Sequence, residues 1–159
     1  MAVDIRTGFT AEQRGEIAAG LTKLLADSYA LYLKTHGYHW NVRGPNFGEL
    51  HKMFEAQYTE MWQALDEMAE RIRALGEFAP QGYGAFANLT SIKDGDPEKA
   101  ATGMLEELMR DHETVIGTAR AALSVADEAD DQATVDTITV RLEAHEKHAW
   151  MLRATLGHK

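Results

Sequence analysis

The stretch Tyr38-His39-Trp40-Asn41-Val42-Arg43-Gly44-Pro45-Asn46-Phe47-Gly48-Glu49-Leu50-His51 separates two long segments whose apolar residues recur at helical spacing. Before it the seam runs Ile17, Leu21, Leu24, Leu31, Tyr38, a period of about 3.6 residues rather than the alternation of a strand. After it Phe47, Leu50, Phe54, Tyr58, Met61, Leu65, Ile72 and Leu75 continue in the same period. Val42-Arg43-Gly44-Pro45 ends the first helix, because proline lacks the backbone donor that a helix interior uses. So short a break makes the two helices antiparallel neighbours. Thr10 with Gln13 reads as a capping box for the first helix, and Asn46 with Glu49 as the cap of the second.

Beyond Gly76 the pattern dissolves into Gly, Pro, Asn and Ser, with residues 85–89 able to form a short helix. Asp96-Pro97 predicts the next helix start, N-cap then first helical position. Leu105, Leu108, His112, Val115, Ile116, Ala119 and Leu123 make the third long helix. An acidic turn over 127–131 precedes a fourth, with Val135, Ile138, Leu142, Ala149, Leu152 and Leu156 on one side. The middle connection of roughly twenty residues can run back along a ~40 Å helix. The predicted class is all-α: a four-helix bundle whose long crossover between the second and third long helices carries a short helix. One domain is expected over 1–159, with 1–9 and 157–159 as short tails.

Of the 159 residues 45% are apolar and 26% charged, enough for a sizeable core and against disorder. There is no cysteine, which excludes a disulfide scaffold, thiolate metal sites and thiol catalysis. The N-terminus lacks the basic flank and apolar run of a secretory signal, and no stretch approaches the ~18 apolar residues of a membrane span, so a cytoplasmic location is expected. Asp plus Glu outnumber Lys plus Arg by 25 to 16, a formal charge of −9. Such a chain attracts cations and repels nucleic acid. No basic tail stands at either end, so DNA binding is expected to be weak or absent.

The second helix carries a polar stripe. With His51 at zero on a wheel of about 100° per residue, the apolar residues cluster at roughly −100° to −20°. Glu55, Asp66 and Glu70 fall at roughly +40°, +60° and +100°, with Trp62 among them at about +20°. A solvated face rarely carries a tryptophan, which suggests that the stripe meets another surface. Histidine with carboxylates is a ligand set for iron, manganese or zinc. Such a stripe is also compatible with an ordinary salt-bridged surface. Rise sets the geometry of the metal reading: His51 and Asp66 lie about 22 Å apart on one straight helix, far beyond the reach of one ion. An antiparallel copy centred between Glu60 and Met61 would bring His51 level with Glu70 of that copy, and Glu55 level with its Asp66. Two-fold symmetry then yields two equivalent sites with Trp62 near the axis. His39 and His51 are also symmetric about Pro45, so the turn sets both imidazoles at one height and makes His39 the second nitrogen donor.

The segment from His39 to Phe47, with Leu50-His51, Phe54-Glu55, Tyr58 and Asp66-Glu67-Met68-Ala69-Glu70-Arg71, strongly resembles the Dps family, the mini-ferritins of the ferritin-like superfamily. The resemblance covers the whole four-helix layout. It implies a hollow dodecamer with ferroxidase centres between two-fold-related subunits, each holding two irons, with zinc or manganese as substitutes. By position, His39 and His51 would come from one chain and Asp66 and Glu70 from its partner, with Glu55 in the acidic position one turn after the second histidine. Trp40 and Trp62 would lie near the iron, either receiving stray oxidising equivalents or packing the interface. The implied function is iron storage and protection from oxidative stress, by oxidation of Fe(II), preferably with hydrogen peroxide. Twelve chains at −9 would give the shell a formal charge of −108, and Asp111, Glu113, Asp127 and Asp130 are candidates for its cation route.

Two rivals are weighed on the residues. A di-iron site within one bundle needs a Glu-x-x-His pair, and no Glu here has His three residues later. A DNA-compacting or structural shell with little ferroxidase activity remains the alternative. His112 reads as a satisfied core histidine, His145 and His148 as a surface pair, and His36 as lying outside any cluster.

Overall fold

The computed structural model describes residues 4–159. It contains helices α1 (Ala11–Asn41), α2 (Phe47–Ala74), α3 (Tyr83–Leu89), α4 (Ala101–Glu128) and α5 (Gln132–Thr155). The four long helices make the expected all-α bundle, and α3 is the short helix within the crossover. Helix α1 packs on α2 and α4, while α5 packs mainly on α4 and more lightly on α2. The first seam is fully inside: Ile17, Leu21, Leu24, Leu31 and Tyr38 are all buried. Phe54, Met61, Leu65, Met68 and Ile72 of α2 close on them, with Leu108 and Val115 of α4 and Ile138 and Leu152 of α5.

The capping box forms as predicted, with Gln13 N donating to Thr10 Oγ1 at 3.2 Å and Thr10 N to Gln13 Oε1 at 2.9 Å. Two expected caps differ. Asn46 occupies the N-cap position of α2 but its side chain makes no capping bond. Asp96 does not open α4, which starts five residues later behind Ala100. Its carboxylate instead accepts from Glu98 N at 2.9 Å, and Lys99 N bonds to its carbonyl at 3.2 Å. The short polar side chain of Asp96 closes a local turn that competes with helix initiation.

The crossover is fastened at two points. Asp27, wholly buried in α1, accepts from Ser91 N at 2.6 Å, Thr118 Oγ1 at 2.7 Å, and Thr90 Oγ1 and Lys23 Nζ at 3.0 Å. Four donors offset the desolvation of that carboxylate. Farther along, Gly95 lies so close to Tyr38 that a Cβ there would sit 2.7 Å from the phenol oxygen. The Tyr38 hydroxyl donates to Glu107, and burial first, then that carboxylate, push its pKa up. At the other end of the bundle, Arg71 of α2 donates to both oxygens of buried Asp131 at 2.8 Å, and Asp131 caps α5 through Thr134 N at 3.1 Å. These bonds hold the Asp131 carboxyl low although burial pushes it up.

Candidate metal centre

His39 and His51 meet across the α1–α2 turn. Their rings stack with centroids 3.7 Å apart and planes 17° from parallel. Each Nδ1 lies 2.8 Å from the other residue's backbone carbonyl. A carbonyl can only accept, so both Nδ1 atoms carry a proton, and in the neutral rings both Nε2 atoms keep a lone pair. That tautomer suits metal ligation, and the carbonyl on the far nitrogen fixes ring orientation. Glu55 is exposed one turn along α2.

Asp66 and Glu70 are exposed at the other end of the same helix. The chain does not bring them to the histidines, and among the described residues no three His, Asp or Glu side chains converge to hold a metal ion. Between the two ends lies an unusually apolar surface for a helix face. Trp40 is 65% exposed and Trp62 55% exposed, and Tyr32, His36 and Tyr58 lie between them. Phe47, expected in the core, is 45% exposed. It occupies the first turn of α2, two residues after Pro45, and its ring reaches His51 at 5.1 Å.

Sequence reasoning misplaced His145, His148 and His36, while His112 is in the core as expected. His145 and His148 are not a surface pair: both are buried, together with His112. His145 falls on the α5 seam between Leu142 and Ala149, a signal that the charged residues around it obscured. His112 and His145 share a hydrogen bond, Nδ1 to Nδ1 at 2.9 Å. His148 Nε2 donates to Glu60 Oε2 at 3.2 Å, and Arg141 pairs with the same carboxylate. His112 is only half satisfied, since its Nε2 has no partner. Burial first, then neighbouring cations and imidazoles, hold His112 and His145 far below the ordinary histidine range. Glu60 is lowered to about 2: burial opposes its ionisation, but the bonds from His148 and Arg141 outweigh that. His36, expected to stand apart, is stacked on Tyr58 at 3.9 Å. Of the acidic residues suggested for a cation route, Asp111 is committed to Lys34 at 2.6 Å and Glu113 lies 3.7 Å from Arg153. Asp127 and Asp130 are exposed.

Residues 18–158 match the family model of the ferritin-like domain. A DNA protection during starvation protein of Brevibacillus brevis is 39% identical over 140 residues, covering 88% of this chain and 94% of that protein. The chain belongs to the Dps family of the ferritin-like superfamily. An uncharacterized low temperature-induced protein of Nostoc is 41% identical to this Dps-family chain over 153 residues, 94% of this chain and 85% of that one. The crystal structure of a Dps protein from Vibrio cholerae O1, titled a member of a broad superfamily of ferritin-like diiron-carboxylate proteins, matches with a TM-score of 0.92. Its sequence is 30% identical, and the match covers 98% of this chain and 99% of that one. This is a protection protein of the Dps type, from a family that typically forms dodecamers and a superfamily that generally binds iron. No helix among the described residues is long and apolar enough to cross a membrane.

Proposed function

We propose that this Dps-family chain oxidises Fe(II), with hydrogen peroxide as the preferred acceptor, at centres completed between two subunits, and stores the ferric product inside a dodecameric shell. The observation that carries this reading is the His39–His51 pair, whose Nδ1 protons are held by backbone carbonyls, while no complete ligand group forms among the described residues of one chain. The missing donors are the Asp66 and Glu70 carboxylates of an antiparallel copy of α2, with Glu55 joining from the histidine side. The exposed Trp40 and Trp62 lie on the face that this copy would cover, and burying them supplies the apolar driving force for pairing. Nitrogen and oxygen donors suit iron, with zinc or manganese as substitutes. Carboxylates favour Fe(III) over Fe(II), and two irons side by side can give both electrons to one peroxide. The reaction balances as two Fe(II), one hydrogen peroxide and two protons giving two Fe(III) and two waters, with no hydroxyl radical released. Of the alternatives, DNA compaction runs against the chain's charge of −9, and a structural shell with little ferroxidase activity is separated by the rate of iron oxidation.

The test is anaerobic addition of Fe(II) to the purified assembly followed by a peroxide pulse, with absorbance, a spin trap and native mass recorded together. Rapid oxidation of about two Fe(II) per peroxide, few trapped radicals and a twelve-chain mass are expected. A shell of that mass with no acceleration over free iron would overturn the ferroxidase reading and leave the fold.

A further inference from the structure

Helix α1 places Tyr32 and His36 one turn apart, and the Tyr32 hydroxyl lies 3.1 Å from His36 Nδ1. Most of the aromatic surface between the two ends of α2 gathers around this bond. The His36 ring stacks on Tyr58 at 3.9 Å with planes 16° apart, and also meets Trp40 at 4.3 Å. Tyr32 lies 5.2 Å from Trp62 and 6.2 Å from Tyr58, and Tyr58 lies 5.2 Å from His39. Ring-to-ring contact is therefore continuous from the histidine pair to Tyr32. Simple interface packing would account for stacked rings, but it does not require a hydroxyl aimed at an imidazole nitrogen.

A phenol that loses an electron becomes a strong acid, so its oxidation is easy only where a base stands ready for the proton. Two tyrosines among the described residues have a hydrogen bond to a side-chain base. Tyr38 donates to Glu107 on the side of α1 that meets the crossover, and Tyr32 meets His36 on the aromatic face. Burial and the neighbouring Tyr29 and Tyr58 push the Tyr32 pKa up, so the phenolate is not the species oxidised. His36 Nδ1, within hydrogen-bond distance of that hydroxyl, stands where it can take the proton.

We propose that Tyr32 and His36 form a proton-coupled redox couple that serves the His39–His51 centre; this rests on the iron and peroxide reading above. When peroxide meets a single Fe(II), one electron passes to it, leaving Fe(III), hydroxide and an oxidant of hydroxyl-radical strength. That oxidant takes one electron through the ring contacts from Tyr32 and becomes hydroxide. The phenolic O–H bond breaks, its proton moves to His36 Nδ1, and the products are a neutral tyrosyl radical and an imidazolium. The next Fe(II) to bind returns one electron to Tyr32 and is itself oxidised to Fe(III), while His36 gives the proton back. The couple converts a one-electron accident into ordinary iron oxidation.

Two experiments on the assembled protein separate this claim from the reading it rests on. In the first, the metal-free assembly is photo-oxidised with a ruthenium tris-bipyridine sensitiser and persulfate, and the tyrosyl signal is followed by transient absorbance and electron paramagnetic resonance. Wild type should give a neutral tyrosyl radical with a solvent deuterium isotope effect. Tyr32→Phe, which removes one oxygen, should lose most of that signal. His36→Gln should slow its formation about tenfold and erase the isotope effect. An unchanged signal in Tyr32→Phe, or an isotope effect retained in His36→Gln, overturns the couple. In the second, substoichiometric Fe(II) and peroxide are freeze-quenched: the radical should sit on Tyr32, and Tyr32→Phe should release more spin-trapped hydroxyl. Fast iron oxidation without a Tyr32 radical overturns the couple alone. No iron oxidation in a shell of verified mass overturns the ferroxidase reading itself, whatever the photochemistry shows.

Discussion

The molecule holds two groups of histidines built on opposite terms. His39 and His51 stack near the surface, and each spends its Nδ1 proton on a neutral backbone carbonyl. His112, His145 and His148 lie inside the bundle, bonded to one another or to Glu60 and crowded by Arg141. The first arrangement leaves the Nε2 lone pairs of the neutral rings open to a cation. In the second, the single carboxylate is already matched by the Arg141 guanidinium. A divalent ion there would bring uncompensated charge among largely buried side chains, which is costly. Three imidazoles in one place therefore do not by themselves make a metal site, whereas the two of the proposed centre keep ring nitrogens that their carbonyl partners leave open.

The sharpest way to break this comparison is to remove a histidine from each group. His51→Ala and Glu70→Ala shells should each lose fast iron oxidation by about 100-fold or more, whereas His145→Leu shells should keep it. Co-assembly of His51→Ala with Glu70→Ala chains should recover part of the rate, because a mixed pair of subunits leaves one of its two centres intact. Stopped-flow absorbance reads all four samples, and no recovery despite verified mixing would rule out a two-chain centre.

Next in size is the charge pair in the core. Glu60→Ala leaves the Arg141 guanidinium buried without its partner. The expected destabilisation is about 2–3 kcal/mol, below that of a fully enclosed pair because water reaches the Glu60 carboxylate. Urea unfolding measures it, and iron oxidation in the folded shell should be unaffected.

The smallest effect separates the groups by pH. Folding holds His112 and His145 neutral by lowering their pKa, so the unfolded chain binds protons at these positions that the folded chain does not. Their contribution to stability is complete above the unfolded histidine pKa of about 6.5 and falls as pH drops below it, by at most about 1.4 kcal/mol per histidine per pH unit. Midpoints of denaturation between pH 7.5 and 5.5 should show this slope, and His145→Leu should make it shallower. A slope unchanged by that substitution would remove His145 from the account.

Periodicity carried the long helices into view because each seam lies within one segment; Ile17 to Tyr38 needs no knowledge of what packs against it. The height of His39 and His51 was legible for a related reason, since a short turn at Pro45 ties two positions by counting alone. The buried cluster was not legible, because His112 and His145 are 33 residues apart and meet only through the register of α4 on α5. His36 escaped notice for the same reason, its stacking partner Tyr58 coming from the neighbouring helix. Asp96 misled differently: helix caps and local turns use the same side-chain chemistry, and only the following backbone decides between them. The placement of Asp66 and Glu70 at the far end of α2 followed from rise alone.

The bond from His51 to the carbonyl of His39 has a consequence for the end of α1. Carbonyls in the last turn of a helix have no partner within it, and in α1 the Tyr38 carbonyl is met by Val42 N while the His39 carbonyl is met by the imidazole. His51 is thus a helix cap donated from another helix. Any substitution that removes this imidazole uncaps α1 at the turn that sets the hairpin. His51→Gln, whose side-chain amide can still donate to that oxygen, therefore separates the two effects that His51→Ala combines.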